Sequence, residues 1–239
     1  MSDLLGFGSI ALVSAITFII ALIRPNISMI LCTALVVRIF FMLIGHSFLS
    51  LPDSTADARS FELQAWNWGQ YGFVNHLDNF HGPSPKFISW LVGVPYSLFG
   101  RSILMAQSMS LFAGIGSVLL GWKLAKVIWG NRIANKVGWI IALFPSLVLY
   151  SVLVMREVYI VFFMLVALYG AVSYTKTYSI KSFFIAIIGF IGATFFHGAM
   201  LVGAIVFIFY IVINNLKNIF ISFKIFKVNK KILLVLLIS

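Results

Sequence analysis

The feature that most limits what this chain can fold into is a series of apolar runs, each long enough to cross a bilayer. A membrane-spanning helix needs about 20 mostly apolar residues, because 1.5 Å of rise per residue must cover about 30 Å of hydrocarbon. Residues 5–23, 27–49, 101–122, 134–154 and 157–174 each qualify, and the run 182–214 is long enough for two passes with a break near "FFHGAM". The sequence therefore predicts an all-α, polytopic transmembrane helix bundle of about seven spans plus a partial one. Only 10% of the 239 residues are charged, well below the roughly 25% of a soluble domain. The piece 87–99 is apolar but short and contains Pro95, so it is expected to lie on the surface or re-enter. The first run follows "MSD" rather than a basic leader and is not expected to be cleaved. Cys32 is the single cysteine, so no intrachain disulfide forms.

Charge placement orients the bundle. Lys and Arg collect in cytoplasmic loops. With an extracytoplasmic N-terminus and alternating spans, the inner loops hold Arg24, Lys123, Lys126, Arg132, Lys136, Lys176, Lys181, Lys217, Lys224, Lys227, Lys230 and Lys231, twelve of the 17 basic residues. The net charge of +11 thus reports topology and membrane lipid, not nucleic acid. All six acids, Asp3, Asp53, Asp57, Glu62, Asp78 and Glu157, fall on the outer side. Carboxylates contribute little to orientation, so their gathering there points to chemistry at the outer face of a cytoplasmic (inner) membrane.

The chain reads as one membrane domain, 1–239, with an extracytoplasmic loop at 50–86 and a basic cytoplasmic loop at 215–231. In "PDSTADARSFELQAW", residues 52–66, a helix is expected from about 55 to 70, with Asp53 or Ser54 as N-cap and Ser54/Asp57 at capping-box spacing. Such a helix aligns Asp57, Phe61, Gln64 and Trp68 on one face, and Trp66, Trp68 and Tyr71 suit the headgroup level. "FHGPSPKF" is a Pro/Gly-rich connector. The final "KKILLVLLIS" opens a further apolar segment, expected to continue in a longer protein.

The order of these features resembles the N-terminal half of GT-C-fold membrane glycosyltransferases, the group that includes protein O-mannosyltransferases and aminoarabinose transferases. The resemblance covers roughly residues 25–175. It rests on "PDSTADARSFELQAW", with its Asp-Ala step, on "GPSPKFISWLVGVPYSLFGRS", on "LAKVIWGNRIANKVGWIIALFPSLVLYS" and on "MREVYIVFF". Many relatives carry a Lys before a Pro pair where this chain has "HGPSP". The resemblance implies transfer of a sugar from a polyprenyl-phosphate donor to a glycan, lipid or protein acceptor. Asp57 matches the position of the general base; its competing role is compensation of the helix dipole in the first turn. Glu157 matches a second acid that positions substrate or a divalent ion, so Asp57 and Glu157 are the expected ligands of any such cation; no other cofactor is implied.

Among the remaining candidates, Asp53 either orients the acceptor or caps the helix. Arg156 is suited to the leaving phosphate, as is Lys86; both also suit a water-facing turn or the headgroups. His81 is a candidate for the acceptor side, and His197 either reaches substrate or breaks the helix. Glu62 is expected to pair with Arg59 at the protein surface; Arg101 is a further candidate for the leaving phosphate but, beside a helix start, better suits anchoring in the headgroups. Arg38, deep in a span, is expected to find a partner inside the bundle. A polymerase of lipid-linked repeats, a lipid-linked sugar transporter and a non-catalytic chain are the competing functions. A transporter predicts polar groups near mid-membrane in several spans.

Overall fold

A computed structural model of the protein describes residues 2–213, and every regular element among them is helical. The chain divides into two compact units, Met1–Met200 and Leu201–Ser239. In the first, α1 (Ser2–Ile23) and α2 (Pro25–Ser47) form a helical hairpin. Arg24 precedes a proline, which disfavours helical backbone, and sits at φ −126°, ψ 70°; Pro25 then opens α2 where its missing N–H costs nothing. The outer loop carries α3 (Asp57–Gly69) and α4 (Phe73–Leu77), followed by α5 (Phe87–Phe99). The long α6 (Ile103–Trp129) starts where the Ser102 hydroxyl accepts the Met105 N–H at 3.4 Å. Then come α7 (Asn131–Leu143), the short α8 (Pro145–Tyr150), α9 (Arg156–Thr177), α10 (Ile180–Phe196) and a single 3-10 turn, Gly198–Met200. In the second unit the described residues, 201–213, are helical. The expected basic loop at 215–231 and the partial span after it lie outside the described residues.

Four described helices, Asp3–Ile23, Pro25–Ser47, Ile103–Trp129 and Arg156–Thr177, are long and apolar enough to cross a membrane. They correspond to four of the expected spans. The expected span 134–154 is instead broken into α7 and α8. Phe144 leaves helical backbone (ψ 119°) ahead of Pro145, and Pro145 has no N–H to offer the Ile141 carbonyl. The run 182–214 breaks at His197, as the sequence predicts, and α10 at 17 residues is shorter than a typical span.

The α7–α8 break explains the buried arginine. Arg38 is 1% exposed. Its Nε donates to the Ser151 hydroxyl (2.9 Å), Nη1 to the carbonyls of Ala142 (2.8 Å) and Ala34 (3.2 Å), and Nη2 to Ile141 (3.4 Å). The guanidinium thus supplies donors to carbonyls that the broken helix leaves without theirs, at the end of α7 where the helix dipole is negative.

Two hydrophobic cores share α6. One joins α1, α2, α6, α7 and the 152–155 turn around Leu31, Leu35, Leu111 and Trp122; the other joins α3, α5, α6, α9 and the end of α10 around Ile88, Val92, Tyr96 and Phe196. The α9–α10 hairpin packs backbone to backbone. A Cβ on Gly170 would lie 2.3 Å from the Ala186 nitrogen, and one on Gly189 2.3 Å from the Ala167 nitrogen. Within a bilayer, where lipid is as apolar as leucine, such close approach is what holds helices together.

The fold separates charge. The Lys176 ammonium donates to the Val127 carbonyl, and Lys123 lies close enough to Arg24 to feel its charge. The α1–α2, α6–α7 and α9–α10 turns therefore form one end of the bundle, with Arg24, Lys123, Lys126, Arg132, Lys136, Lys176 and Lys181. The other end carries the starts of α1, α6 and α9, the end of α2 and the outer loop, with all six acids.

Candidate functional site

At the acid-bearing end, α3 buries Ala58, Glu62, Ala65 and Gly69. Their spacing of four, three and four residues puts them on one helical face. Three are small, so α3 can lie directly on α5: a Cβ on Gly69 would come within 3.0 Å of the Gly93 carbonyl oxygen. Glu62 is the one long side chain in that stripe and is 5% exposed.

A buried carboxylate must be met by donors, and Glu62 is met by three. The Tyr96 hydroxyl donates to Oε1 at 2.9 Å, Arg101 Nε donates to Oε1 at 2.9 Å, and Arg101 Nη2 donates to Oε2 at 2.7 Å. The last two form the forked pairing that fits guanidinium to carboxylate. The hydrogen bond to Glu62 raises the Arg101 pKa above its ordinary value. Burial first, and then the Glu62 charge, push the Tyr96 hydroxyl up as well. Both groups keep their protons at any physiological pH.

This arrangement corrects three expectations. Glu62 pairs with Arg101, thirty-nine residues away, and not with Arg59 on its own helix. Arg101 is spent on that carboxylate instead of anchoring in headgroups. Asp53 and Ser54 do not cap α3: its N-cap is Ala56, without a side-chain bond. Ser54 Oγ donates to the Leu51 carbonyl at 2.6 Å, and Asp53 turns the chain in left-handed backbone at φ 62°.

Beside the Glu62–Arg101 pair lies a cavity of about 680 Å³. Its walls come from the end of α2 and residues 48–50, from Ala58, Arg59, Glu62 and Leu63 of α3, from Arg101, Ile103 and Gln107 around the start of α6, and from Leu153 and Val154 before α9. Gln107 is 7% exposed, and its Oε1 is buried without a hydrogen-bond partner. The ionised side chains of the lining are Arg59, Arg101 and Glu62, one positive charge in excess. A volume of several hundred Å³ with few convergent polar groups is the usual form of a small-molecule site.

Of the sequence-predicted candidates, only Arg101 lines this cavity. Asp57 is the first helical residue of α3 and is exposed; its neighbours Ala58 and Arg59 are in the wall. Asp53 is exposed on the approach to α3. Arg156 and Glu157 open α9, where Arg156 Nε meets Glu157 Oε1 at 3.2 Å, and Glu157 Oε2 is buried without a partner. Lys86 is exposed at the N-cap of α5. His81 is exposed and stands edge-on to Trp68, with ring centroids 6.2 Å apart. His197 is exposed at the end of α10.

The connector between α4 and α5 is held in place. The Ser84 N–H donates to the Phe195 carbonyl at 3.1 Å. His76, fully buried, stacks on Trp90 and donates from Nε2 to the Trp90 carbonyl at 2.8 Å. The outer loop is thus docked onto α5 and α10. Among the described residues no three His, Cys, Asp or Glu side chains converge, Asp57 and Glu157 included.

The residues that sequence reasoning missed are Glu62, which it placed in a surface pair, and Gln107. The usable signal was the stripe Ala58, Ala65 and Gly69, which marks the buried face of α3 and places Glu62 in its middle. Comparison of the chain with family models, curated proteins and solved structures finds no match.

Proposed function

We propose that the protein is a multi-pass enzyme of the cytoplasmic membrane that transfers a sugar from a polyprenyl-phosphate donor to an acceptor hydroxyl at the outer face. The supporting observation is the polar cavity at the acid-bearing end of the bundle, walled by α3 and carrying net positive charge. In the positive-inside orientation that end is extracytoplasmic, away from soluble nucleotide sugars. With the α7–α8 pair and the 182–214 run also crossing, the count approaches the seven spans expected from the sequence.

In the transfer, the acceptor oxygen attacks the anomeric carbon, the bond from that carbon to the phosphate oxygen breaks, and the prenyl phosphate leaves with the electron pair. The acceptor proton passes to a carboxylate, a contribution of about 10²–10⁴ in rate. Asp57 is assigned this role because it is exposed, next to two residues of the cavity wall, and free of helix-capping bonds. Transport of lipid-linked sugar is less well supported, since the deep cation Arg38 is fully committed to Ser151 and backbone carbonyls.

The test is a transfer assay on the full chain in proteoliposomes with prenyl-phosphate sugars. Asp57→Asn is expected to abolish transfer at an unchanged level in the membrane. Retained transfer removes Asp57 as the base.

A further inference from the structure

The cavity beside Glu62 carries an arrangement that the acid–base reading of Asp57 does not use. Arg101 gives Nε and one Nη2 hydrogen to Glu62, and its Nη1 amino group is not used in that fork. The guanidinium is planar, so fixing one edge on a buried carboxylate fixes the direction of the other. Gln107, more than nine-tenths buried, is in the same lining, and its side-chain Oε1 is buried without a hydrogen-bond partner. Buried side-chain polar atoms without partners are rare, and a ligand is one of the few things that explains them. Turned about its last torsion, the amide offers either two N–H donors or a carbonyl. Arg59, on the turn of α3 before Glu62, adds a second cation to the wall.

We propose that this cavity is a preorganised oxyanion receptor for a phosphate ester. The free edge of Arg101 and the Gln107 amide supply hydrogen bonds, Arg59 supplies unpaired charge, and Glu62 with Tyr96 are positioning residues that hold Arg101. The assignment deepens the transferase reading by naming the groups that would take the donor's phosphate, and it rests on that reading only for the prenyl chain.

Glu62 allows a test in which the sign of the effect decides. If the cavity attracts anions by charge alone, Glu62→Gln removes the one negative group and tightens binding. If Arg101 must be held in place, the same change weakens binding although the cavity becomes more positive.

The full chain in phosphatidylcholine nanodiscs is titrated calorimetrically with inorganic phosphate and with farnesyl phosphate; a third arm titrates farnesyl phosphate in discs containing phosphatidylglycerol. Wild type is expected to bind farnesyl phosphate. Arg101→Lys and Gln107→Leu each weaken binding by about tenfold, the cost of one hydrogen bond to a charged group. Glu62→Gln also weakens it. Affinity for the monoester rises between pH 5 and 7, as the phosphate takes its second charge near pH 6; the profile is read in a His46→Gln background, because His46 also lines the cavity.

Equal affinity for inorganic phosphate identifies free phosphate as sufficient, and competition by phosphatidylglycerol identifies a lipid headgroup; both outcomes keep the oxyanion receptor. Tighter binding by Glu62→Gln, unchanged binding by Arg101→Lys and Gln107→Leu, or no binding of any probe overturns it. Should Glu62→Gln fail to fold, Gln107→Leu and Arg101→Lys decide alone. Asp57→Asn is expected to bind farnesyl phosphate as wild type does. Phosphate binding without sugar transfer by the wild type therefore refutes the transferase reading and leaves the receptor standing.

Discussion

Replacing Glu62 by glutamine tests the central contact of the outer face. The side chain keeps its size, and its amide oxygen can still accept from Tyr96. That oxygen, in the place of Oε1, also keeps the Arg101 Nε donor, so the bond lost is the one from Nη2 to Oε2, at 2.7 Å, where an amide NH2 would face the guanidinium. Hydrogen bonds to charged groups contribute about 1.5–3 kcal/mol each. The Arg101 side chain is 37% exposed, so water compensates part of the loss, and the lower half of the range applies. Glu62→Gln is then expected to cost about 1.5–2 kcal/mol of stability. Glu62→Ala also strands the Tyr96 hydroxyl, which is 2% exposed; that adds an unpaired donor and brings the total to about 3–5 kcal/mol. Had Glu62 paired with Arg59 on a wet helix surface, either change would cost only a few tenths, roughly 0.2–0.5 kcal/mol. Equilibrium unfolding in mixed micelles titrated with dodecyl sulfate separates the two cases. A loss below about 0.5 kcal/mol for both variants would show that the buried fork contributes nothing.

Three further outcomes are expected. Arg38→Lys cannot reach Ser151 and the Ala142 carbonyl together from one ammonium, and should lower stability by about 1–2 kcal/mol in the same titration. Gly189→Ala forces a methyl against the α9 backbone and should cost about 1–3 kcal/mol, whereas Gly8→Ala, with open space around it, should gain about 0.5–1 kcal/mol; equal effects would refute the close α9–α10 contact. In a Cys32→Ser background, Asn75→Cys should react with an impermeant maleimide in intact cells and Asn131→Cys only after permeabilisation; the reverse pattern inverts the topology.

Much of the architecture was legible because the bilayer imposes a length. The four long helices, the short α5 and the break at His197 all follow from counting apolar residues. The α7–α8 break was also written in the chain, at "LFPS". A hydropathy window averages over Pro145, however, and reads one continuous span. The site was harder to read. Glu62 has an arginine three residues away, a local partner good enough to satisfy any rule of spacing, and the true partner is thirty-nine residues on. Burial decides between them, and burial of α3 depends on α5 lying against it. Arg38 was recognisable as a buried cation, but its acceptors are backbone carbonyls, which no residue pattern marks.

Arg38 also has a consequence for how the protein is made. Its best acceptor, the Ala142 carbonyl, is 104 residues further along the chain. During synthesis α2 meets the membrane long before α7 and α8 exist. A lone arginine near the centre of a span costs about 2.5–3.5 kcal/mol on insertion scales. Until the second half arrives, the first hairpin must therefore sit with that side chain reaching for headgroups or water. Its final depth is set only when residues 141–151 emerge. Seating of the N-terminal pair is thus a late event in biogenesis, and a chain stopped before residue 141 should leave α2 shallow or unintegrated.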